Sequence, residues 1–571
     1  MKKVIPVIVA LLLIALIAGI SFGGKLMDKY SYSKETADLD EYYGVTDAAV
    51  DGGDGGLAII LQDGMVGEQA VIKGGVVYFD LDTVHTYFNE IYYADREEQK
   101  LLLTTADDTL TALFGQTGYS DGAGGHATDY TVCYEEDGTV YIAADYVRLA
   151  CNYTYEVYDR HLQVYTEWGV KQTYDIAKNT QLRVKGGIKS PILRELEKGE
   201  VVELLEQMET WSKVKTSDAM IGYVENKRLT NVSTELENPA EGYVPAEYTS
   251  ARLEGKVGLG WHAIYGAQGN DTLDAMIKEG KGMNVIAPTW FSLTDSEGNF
   301  QSFASAGYVE KAHKSGLKVW GVWDDFNAGE VIDSYHLFSA TTRRQALAQR
   351  MLDTTLEYGL DGINLDFEKM SGESRPHFNQ FLRELSVLCR KNGVTLSVDN
   401  YVPLNSNNSS RLDIQGQVAD YVIIMGYDEH WGGSQTAGSV ASIDFVSGGI
   451  DRTLEQVAAE KVINALPFYT RVWKTEGTKV TDDAIPICNM ADYLKRVGKE
   501  DAAEWDETTC QNYLEWQSGD VTYQIWLEDV ESLRVKLNVM SSRKLGGAAV
   551  WRLGYGTSAV WELVAAFTGA E

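Results

Sequence analysis

The sequence predicts a multidomain protein whose C-terminal part, residues 251–571, is a (β/α)8 barrel of the TIM type. Two observations predict this fold class. At 571 residues the chain is too long for a single hydrophobic core. Near residue 250 the pattern changes from short alternating strands to buried apolar strands separated by helical stretches, which is typical of a parallel sheet. We count eight such strands, beginning near residues 256, 283, 317, 360, 394, 421, 462 and 547.

The gap between the last two strands is long. Residues 474–546 therefore predict a small α+β insertion that forms one wall of a cleft. Because the functional groups of such barrels lie at the C-terminal ends of the strands, we expect the site there.

The N-terminus begins with an apolar run. Residues 4–24 carry no charge and follow Lys2 and Lys3. This length and these flanks predict a membrane-spanning helix inside an anchor segment, residues 1–30. A cleaved signal peptide has similar flanks and is the alternative. Both readings predict an extracytoplasmic protein, anchored to the membrane in the first case and secreted in the second.

Composition narrows the range of partners. With a formal net charge of −33, the protein offers nothing to offset a phosphate backbone, so we exclude nucleic acid. The 13 Trp and 33 Tyr residues provide flat faces that suit sugar rings, although core packing accounts for them equally well. None of the five cysteines shows metal-ligand or redox spacing. No cysteine chemistry is indicated.

Two segments follow the apolar run. Residues 31–56 are rich in Gly and Asp towards their end and predict a polar tether. Residues 57–170 repeat themselves, and each half reads as a short strand, a helix and two more strands. The matching pairs, 63 residues apart, are Tyr78 and Tyr141, Asp82 and Asp145, and Val84 and Val147. The module resembles the copper amine oxidase N-terminal-like domain, which implies a structural α+β stalk. Without a His/Cys cluster the name implies no copper here.

Residues 173–230 predict a small β unit, because short alternating strands are broken by Gly and Pro. Four pieces resemble the pattern of the bacterial SH3 domain, a small β-barrel: Leu182 to Lys185, Lys198-Gly199, Trp211 to Val214 and Gly222 to Val224. The resemblance implies either binding of a wall peptide or a spacer without a ligand. Residues 231–250 contain two prolines and no hydrophobic period, which predicts a linker.

The sharpest signal lies at the end of the fourth barrel strand, where Asp361, Asn364, Asp366 and Glu368 occur within eight residues. Alternate side chains of a strand point the same way, so the last three share one face. Three polar groups pointing into a barrel are costly to bury without partners, which disfavours a purely structural role. Two neighbouring acids repel each other. One of them therefore has a raised pKa and stays protonated near neutral pH, as a general acid requires.

These residues resemble the asp-x-x-asp-x-asp-x-glu pattern of glycoside hydrolase family 18, the chitinases and their relatives. Asn364 departs from the pattern, because the family commonly has an aspartate there. The departure removes one negative charge and weakens the basis for proton sharing with Asp366. The resemblance covers residues 251–571 and includes Met425-Gly-Tyr427-Asp428 on the sixth strand and Trp551 on the eighth. Asn364 and the segment around Trp290 resemble most the spore-germination and cortex-lytic subgroup, which acts on peptidoglycan.

The resemblance implies a retaining, substrate-assisted hydrolysis of β-1,4 bonds after N-acetylglucosamine. Glu368 protonates the leaving oxygen while the acetamido oxygen of the substrate attacks the anomeric carbon. Asp366 holds the acetamido N–H, and Tyr427 donates its hydroxyl to the acetamido oxygen. Asn364 and Asp361 complete the implied catalytic group. The implied substrate-binding residues are Trp551, Asp428, Met425, Tyr469 and Trp290.

The acidic pair Asp324-Asp325 could be a pair of metal ligands. The resemblance implies no metal and no cofactor, so we expect a loop or substrate-contact role for this pair.

We expect the glycan to be peptidoglycan of the cell wall or spore cortex. A chitinase or chitooligosaccharidase with the same mechanism is one alternative. A non-catalytic glycan-binding protein is another, because barrels of this family sometimes lose the glutamate. Glu368 is present, which favours an enzyme.

Overall fold

The structure, a computed structural model, describes residues 5–236, 243–329, 331–404 and 410–569. Residues 1–4 of the predicted anchor, 237–242 of the predicted linker and 570–571 of the predicted barrel domain lie outside the described residues. The chain divides into two compact units. The first is Met1–Ala94 with Thr111–Pro245, and the second is Asp95–Leu110 with Ala246–Glu571.

The first unit starts with helix α1 (Ile5–Tyr30). Within the described part of the chain, no helix is both long enough and apolar enough to cross a membrane. The membrane-spanning helix predicted for residues 4–24 is therefore not confirmed.

The segment predicted as a polar tether, residues 31–56, is instead folded. Asp38 caps the short helix α2 (Leu39–Tyr43) by accepting hydrogen bonds from two backbone N–H groups. Tyr43, Val45 and Ala49 are buried. The prediction of a tether was wrong because these few apolar side chains are enough to fix the segment.

The repeated module has the element order that the sequence repeat predicts. In each half a strand, a helix and two strands follow one another: β3, α3, β4 and β5, then β10, α4, β11 and β12. Val84 and Val147, one of the repeated pairs, are both fully buried on the two helices. The link to the copper amine oxidase N-terminal-like domain stays a prediction. The elements are β1 (Gly55–Leu61), β2 (Gly64–Lys73), β3 (Val76–Asp80), α3 (Leu81–Tyr87), β4 (Tyr92–Asp95), β5 (Lys100–Thr104), β6 (Thr109–Leu113), β7 (Thr117–Asp121), β8 (Gly124–Thr131), β9 (Cys133–Glu136), β10 (Thr139–Ala143), α4 (Ala144–Val147), β11 (Thr154–Tyr158) and β12 (His161–Tyr165).

The SH3-like domain is a seven-stranded sheet in the order β15-β14-β18-β17-β16-β13-β19. Gly222 on β18 lies so close to β14 that a Cβ there would meet Leu182 Cγ at 2.6 Å, which explains the glycine of the motif. The last strand contains residues 231–236, the start of the predicted linker, because they pair with β13. The strands are β13 (Val170–Ile176), β14 (Thr180–Arg183), β15 (Ile192–Leu196), β16 (Val201–Gln207), β17 (Trp211–Thr216), β18 (Ile221–Glu225) and β19 (Leu229–Leu236).

The second unit contains the predicted barrel. Eight parallel strands coincide with the eight that the sequence predicts: β20 (Val257–His262), β21 (Val285–Leu293), β23 (Lys318–Asp324), β24 (Gly362–Asp366), β25 (Thr395–Tyr401), β26 (Tyr421–Met425), β27 (Val462–Pro467) and β33 (Gly547–Trp551). Each pairs with the next, and β33 pairs back to β20, which closes the barrel. A short strand, β22 (Phe300–Ser302), pairs antiparallel with β21. The prediction succeeded because strands buried on both faces read as continuous apolar runs.

Helices cover the outside of the barrel. Inward side chains such as Leu259, Val322 and Ile423 fill its interior, and a second apolar cluster lies between the strands and the helices. The long helices α8 and α9 both end on a glycine with positive φ, Gly359 and Gly393. The helices are α5 (Leu273–Glu279), α6 (Ala306–Lys314), α7 (Ser334–Ser339), α8 (Thr341–Tyr358), α9 (Arg375–Asn392), α10 (Leu412–Val418), α11 (Ile443–Leu454), α13 (Val530–Ser542) and α14 (Ser558–Thr568).

An insertion separates β27 from α13. Where the sequence predicts residues 474–546, the structure has a five-stranded antiparallel sheet and one helix that begin at Tyr469 and end at Leu527. The elements are β28 (Tyr469–Glu476), β29 (Lys479–Pro486), α12 (Ile487–Arg496), β30 (Glu504–Asp506), β31 (Gln511–Ser518) and β32 (Val521–Leu527).

The second unit also includes residues far from it in sequence, the segment Asp95–Leu110. Asp95 is buried, and its Oδ2 accepts hydrogen bonds of 2.5 Å from both the backbone N–H and the hydroxyl of Thr341, the first residue of α8. Ala340, which precedes the helix, has no side chain that could cap it. Thr104 accepts a hydrogen bond from Gln380 of α9. The folded barrel unit thus extends beyond the predicted boundary at residue 251.

Candidate active site

A cavity of about 750 Å³ opens at the C-terminal ends of the barrel strands. That volume is within the range of small-molecule sites. Almost every strand contributes to its wall: among the lining residues are Trp261, Thr289, Asp324, Asp366, Glu368, Asp399, Tyr401, Met425, Tyr427, Asp428 and Trp551. Acidic and aromatic side chains therefore dominate the wall.

Asn364 forms the buried base of the predicted catalytic strand. Its Oδ1 accepts a hydrogen bond of 2.9 Å from the indole N–H of Trp261. Its Nδ2 donates to Ser397 Oγ at 3.0 Å and to Asp399 Oδ1 at 2.8 Å. The amide is fully buried and all its hydrogen-bonding groups are engaged, so its orientation is fixed.

Asp366 lies on the same face of β24 as Asn364, two residues further along the strand and nearer the cavity. Its Oδ1 is buried and has no hydrogen-bond partner among the residues that the structure describes. Burial, followed by the neighbouring carboxylate of Asp399, raises the pKa of Asp366 well above its usual range. A buried acceptor without a partner is costly, which makes it a place where a donor from a ligand gains most.

Glu368 is held at two points. Its backbone N–H donates a hydrogen bond of 2.9 Å to Asp325 Oδ1, and the N–H of Lys369 donates to Asp325 Oδ2 at 3.0 Å. The hydroxyl of Tyr401 donates to Glu368 Oε2. Burial raises the pKa of Glu368, whereas the Tyr401 hydrogen bond and the Lys369 ammonium lower it. Burial also raises the pKa of Asp325, from 3.8 to about 6.

Tyr427 and Asp428 follow β26, and a glycine sets their position. A Cβ on Gly426 would meet Asn464 Oδ1 at 2.6 Å, so only glycine lets the chain lie this close to β27. The Tyr427 side chain then lines the cavity together with Met425. Asp428 accepts a hydrogen bond of 2.6 Å from the Tyr469 hydroxyl. Tyr469 thus contacts Asp428 and, at 6.4 Å between ring centroids, the ring of Tyr427.

Trp551 ends β33 and lines the cavity. Its ring meets that of Trp261 edge to face, with the centroids 6.0 Å apart. The two indoles provide an apolar floor next to the acids.

Two predicted site residues lie elsewhere. Asp361 precedes β24 and therefore lies at the opposite, N-terminal end of the barrel, where it pairs with Lys318 and His313 at 2.7 Å each. Trp290 is fully buried, and its indole N–H donates to Asn270. Its neighbour Thr289 is the residue that faces the cavity, because alternate side chains of a strand point to opposite faces. The assignments of Asp361 as catalytic and Trp290 as substrate-binding were wrong.

Several residues of the site were missed, among them Trp261, Asp399, Tyr401 and Asp325. Asp399 and Tyr401 alternate with Ser397 on the fifth strand, as Asn364, Asp366 and Glu368 alternate on the fourth. That second polar alternation was visible in the sequence and is the signal that could have found them. Asp325 was noted only as half of an acidic pair, since nothing in the sequence shows that its carboxylate binds the backbone of Glu368.

A barrel with two neighbouring acids at the C-terminal end of one strand, in an aromatic cavity, has the features of a glycoside hydrolase, and the comparisons with known proteins agree. Residues 265–556, just over half of the chain, match the family described as glycosyl hydrolases family 18, and the chain belongs to that family. Residues 178–230 match the bacterial SH3 domain, which confirms the prediction for that segment.

Several relatives are named as glycosylases or as lytic enzymes. The chain is 24% identical over 307 residues to the uncharacterized glycosylase YvbX of Bacillus subtilis (strain 168), covering 49% of this chain and 84% of that protein. It is 26% identical over 221 residues to a cortical fragment-lytic enzyme of Bacillus anthracis, covering 38% of this chain and only 51% of that enzyme. The fold is also similar to the crystal structure of the Bacillus cereus spore cortex-lytic enzyme SleL, with a TM-score of 0.50 and 20% identity over 58% of this chain and 77% of the other. Together these findings identify a glycoside hydrolase that acts on a glycan.

Proposed function

We propose that the protein hydrolyses β-1,4 bonds after N-acetylglucosamine in peptidoglycan, with retained configuration and with the substrate's own acetamido group as nucleophile. The observation that carries the proposal is the buried Oδ1 of Asp366, which has no partner among the described residues and lies beside Glu368 in the cavity. An acetamido N–H would supply the missing donor.

The first step breaks the glycosidic bond. Glu368 gives its proton to the leaving oxygen as the acetamido carbonyl oxygen forms a bond to the anomeric carbon, which produces an oxazolinium ion. Asp366 accepts the N–H and offsets the positive charge, and Tyr427 donates its hydroxyl to the acetamido oxygen. In the second step Glu368 takes a proton from a water that attacks the same carbon from the side of the departed sugar. The bond between that carbon and the acetamido oxygen breaks, which restores the acetamido group. Two inversions give net retention.

The acid must be protonated at working pH. Removal of Glu368 from bulk water raises its pKa, which favours this state. An intramolecular nucleophile can supply up to ~7–11 kcal/mol in favourable cases, so no enzymic nucleophile is required. The aromatic floor formed by Trp551 and Trp261 suits the apolar face of a sugar ring.

Two features support peptidoglycan as the glycan. Relatives that match part of this chain are named cortical fragment-lytic enzymes. The chain also has a bacterial SH3 domain, for which we propose binding of a wall peptide. Because this substrate lies outside the cytoplasm, the proposal includes export of the protein.

Digestion of purified peptidoglycan, followed by mass spectrometry of the new reducing ends, tests the proposal. We expect N-acetylglucosamine at the new ends. Glu368→Gln should lower the rate by ~10²–10⁴, the usual contribution of a general acid. Glu373→Gln, an exposed glutamate five residues further on, is the matched control and should be fully active. New ends of muramic acid, or cleavage of chitin but not of peptidoglycan, would refute the proposed specificity.

A further inference from the structure

The strands β24 and β25 place a second aspartate beside Asp366. They pair in parallel, with Asn364 opposite Ser397 and Leu365 opposite Val398. The next position on each strand is Asp366 on one and Asp399 on the other. Adjacent strands lie about 4.8 Å apart, and side chains at matching positions point to the same face. The two carboxyl groups are therefore direct neighbours at the base of the cavity.

Asp399 is only 7% exposed. Its Oδ1 accepts the hydrogen bond of 2.8 Å from Asn364, which leaves Oδ2 for another contact. Burial raises the pKa of Asp399 well above its usual range, while the Asn364 hydrogen bond opposes the rise. Two buried carboxylates on neighbouring strands repel each other, and ionisation of both is costly. The geometry therefore favours one proton held by the pair.

The family pattern has an aspartate where this chain has Asn364. The Asn364 amide cannot carry a proton between carboxyl groups, and its donors and acceptor are already used by Trp261, Ser397 and Asp399. The acid that is missing from β24 is thus present one strand further on.

We propose that Asp399 is a positioning residue that shares one proton with Asp366 and so replaces the carboxyl group that the family pattern has at position 364. The inference rests on the proposed function, because it concerns how Asp366 carries its charge. In the free enzyme the proton lies between the two carboxyl groups. When substrate binds, Asp399 keeps the proton and donates it as a hydrogen bond, and Asp366 carries the negative charge that accepts the acetamido N–H.

The charged and titratable groups around the pair come from four neighbouring strand ends. They are Glu368 and Lys369 on the same segment as Asp366, Asp324 and Asp325 at the end of β23, Tyr401 on β25, and Tyr427 and Asp428 after β26. Lys369 is the one cation among these described residues, and its charge lowers the pKa of Glu368.

Replacement of Asp399 by Ala and by Asn separates proton sharing from a merely structural role. Asp399→Ala removes a protonated donor that stabilises the ionised form of Asp366, so Asp366 ionises less readily. An ionised Asp399 would have the opposite effect, because its charge raises the pKa of Asp366. We expect kcat to fall by about 100-fold, the lower end of the range for loss of one preorganised electrostatic contact, and the acidic limb of the pH profile to move to higher pH. Asp399→Asn retains a permanent N–H donor and should keep most of the rate and the acidic limb. Adding Asn364→Asp to Asp399→Ala should restore part of kcat.

Asp420 supplies the matched control. It is also a buried aspartate, but it lies at the other end of β26 and binds Ser250 and the backbone of Leu396. Asp420→Asn should lower the melting temperature without changing the pH profile. The inference is overturned if Asp399→Ala keeps the wild-type kcat and pH profile, or if Asp399→Asn is as impaired as Asp399→Ala.

Infrared difference spectroscopy tests the shared proton without substrate. We expect the wild-type minus Asp399→Asn difference spectrum at neutral pH to contain a carboxylic acid C=O band, since Asp366 is ionised in the variant and the band of protonated Glu368 is common to both proteins. The absence of this difference band would contradict proton sharing. Because this readout needs no turnover, it remains decisive if the wild-type protein fails to cleave any glycan containing N-acetylglucosamine, a result that would refute the proposed function alone.

Discussion

The hydroxyl of Tyr401 donates a hydrogen bond to Oε2 of Glu368, so the proposed acid is held by a side chain from the neighbouring strand. A donor to the ionised carboxylate stabilises the charged form and lowers the pKa of Glu368 against the effect of burial. The tyrosine is 56% exposed, which leaves it within reach of a bound glycan. The structure thus gives Tyr401 a direct influence on the protonation of the acid.

Tyr401→Phe should therefore raise the pKa of Glu368. The acid would stay protonated to higher pH, and the alkaline limb of the kcat/KM profile should shift upwards. Measurement of kcat/KM between pH 5 and 9, roughly the range in which a tuned acid titrates, checks this. Tyr335→Phe, an exposed tyrosine of α7 outside the cavity, should leave the profile unchanged. A downward shift in Tyr401→Phe would contradict the account.

The carboxylate of Asp325 makes stability depend on pH. Its pKa in the folded protein, about 6, lies above the ordinary value of 3.8, so the folded state binds the proton more tightly. This contribution to stability is full below pH 3.8 and is lost as pH rises to about 6, up to roughly 3 kcal/mol. Asp325→Asn should remove it. Denaturant unfolding at several pH values measures this. Between pH 3.8 and about 6 the free energy of unfolding of the variant should increase relative to that of the wild type. If the two free energies change in parallel with pH, Asp325 does not make this contribution.

Lys369 provides a test of specificity. It follows the acid directly and is the one cationic side chain among the cavity-lining residues that the structure describes. Muramic acid carries a lactyl carboxyl group, and chitin has no anion. Lys369→Met should lower kcat/KM on peptide-free peptidoglycan glycans by about fivefold, equivalent to an exposed ion pair of about 1 kcal/mol. Activity on chitooligosaccharides should not change, and Lys314→Met on α6 should affect neither substrate. Equal losses of kcat/KM on both substrates would show that Lys369 does not recognise the lactyl carboxyl group.

Asp95 should stabilise the barrel unit although it is far from it in sequence. Its carboxylate accepts two hydrogen bonds from Thr341 at the start of α8 and is buried there. Asp95→Ala should cost about 1–3 kcal/mol of unfolding free energy, as expected for a lost cap with a buried donor. Asp107→Ala, on the same segment but exposed, should cost much less. Equal unfolding midpoints for the two variants would argue against a stabilising role.

The sequence predicted the parts of the fold that are periodic. All eight barrel strands were found because their apolar runs are buried on both faces. The folding of residues 31–56 was missed, because three scattered apolar residues make no period in a stretch with many polar residues. The contact of Asp95 with Thr341 joins positions 246 residues apart, and no local pattern encodes it.

The residues of the candidate site were likewise predicted where they follow a local pattern and missed where they depend on contacts between distant residues. One strand motif predicted Asn364, Asp366 and Glu368 on a shared face, and the structure has them there. Asp361 was wrong because it belongs to the motif but lies at the other end of the strand. Asp325 was missed because its role depends on a contact between two strand ends, which only the folded barrel brings together.

The dependence of kcat/KM on the N-acyl group of the substrate shows whether the acetamido oxygen is the nucleophile. In a series in which the acetyl group of N-acetylglucosamine carries none, one, two or three fluorine atoms, the carbonyl oxygen becomes a steadily weaker nucleophile. We expect kcat/KM to fall steeply along the series, by ~10²-fold or more, because that oxygen attacks the anomeric carbon. A value of kcat/KM that is independent of fluorination would refute substrate assistance.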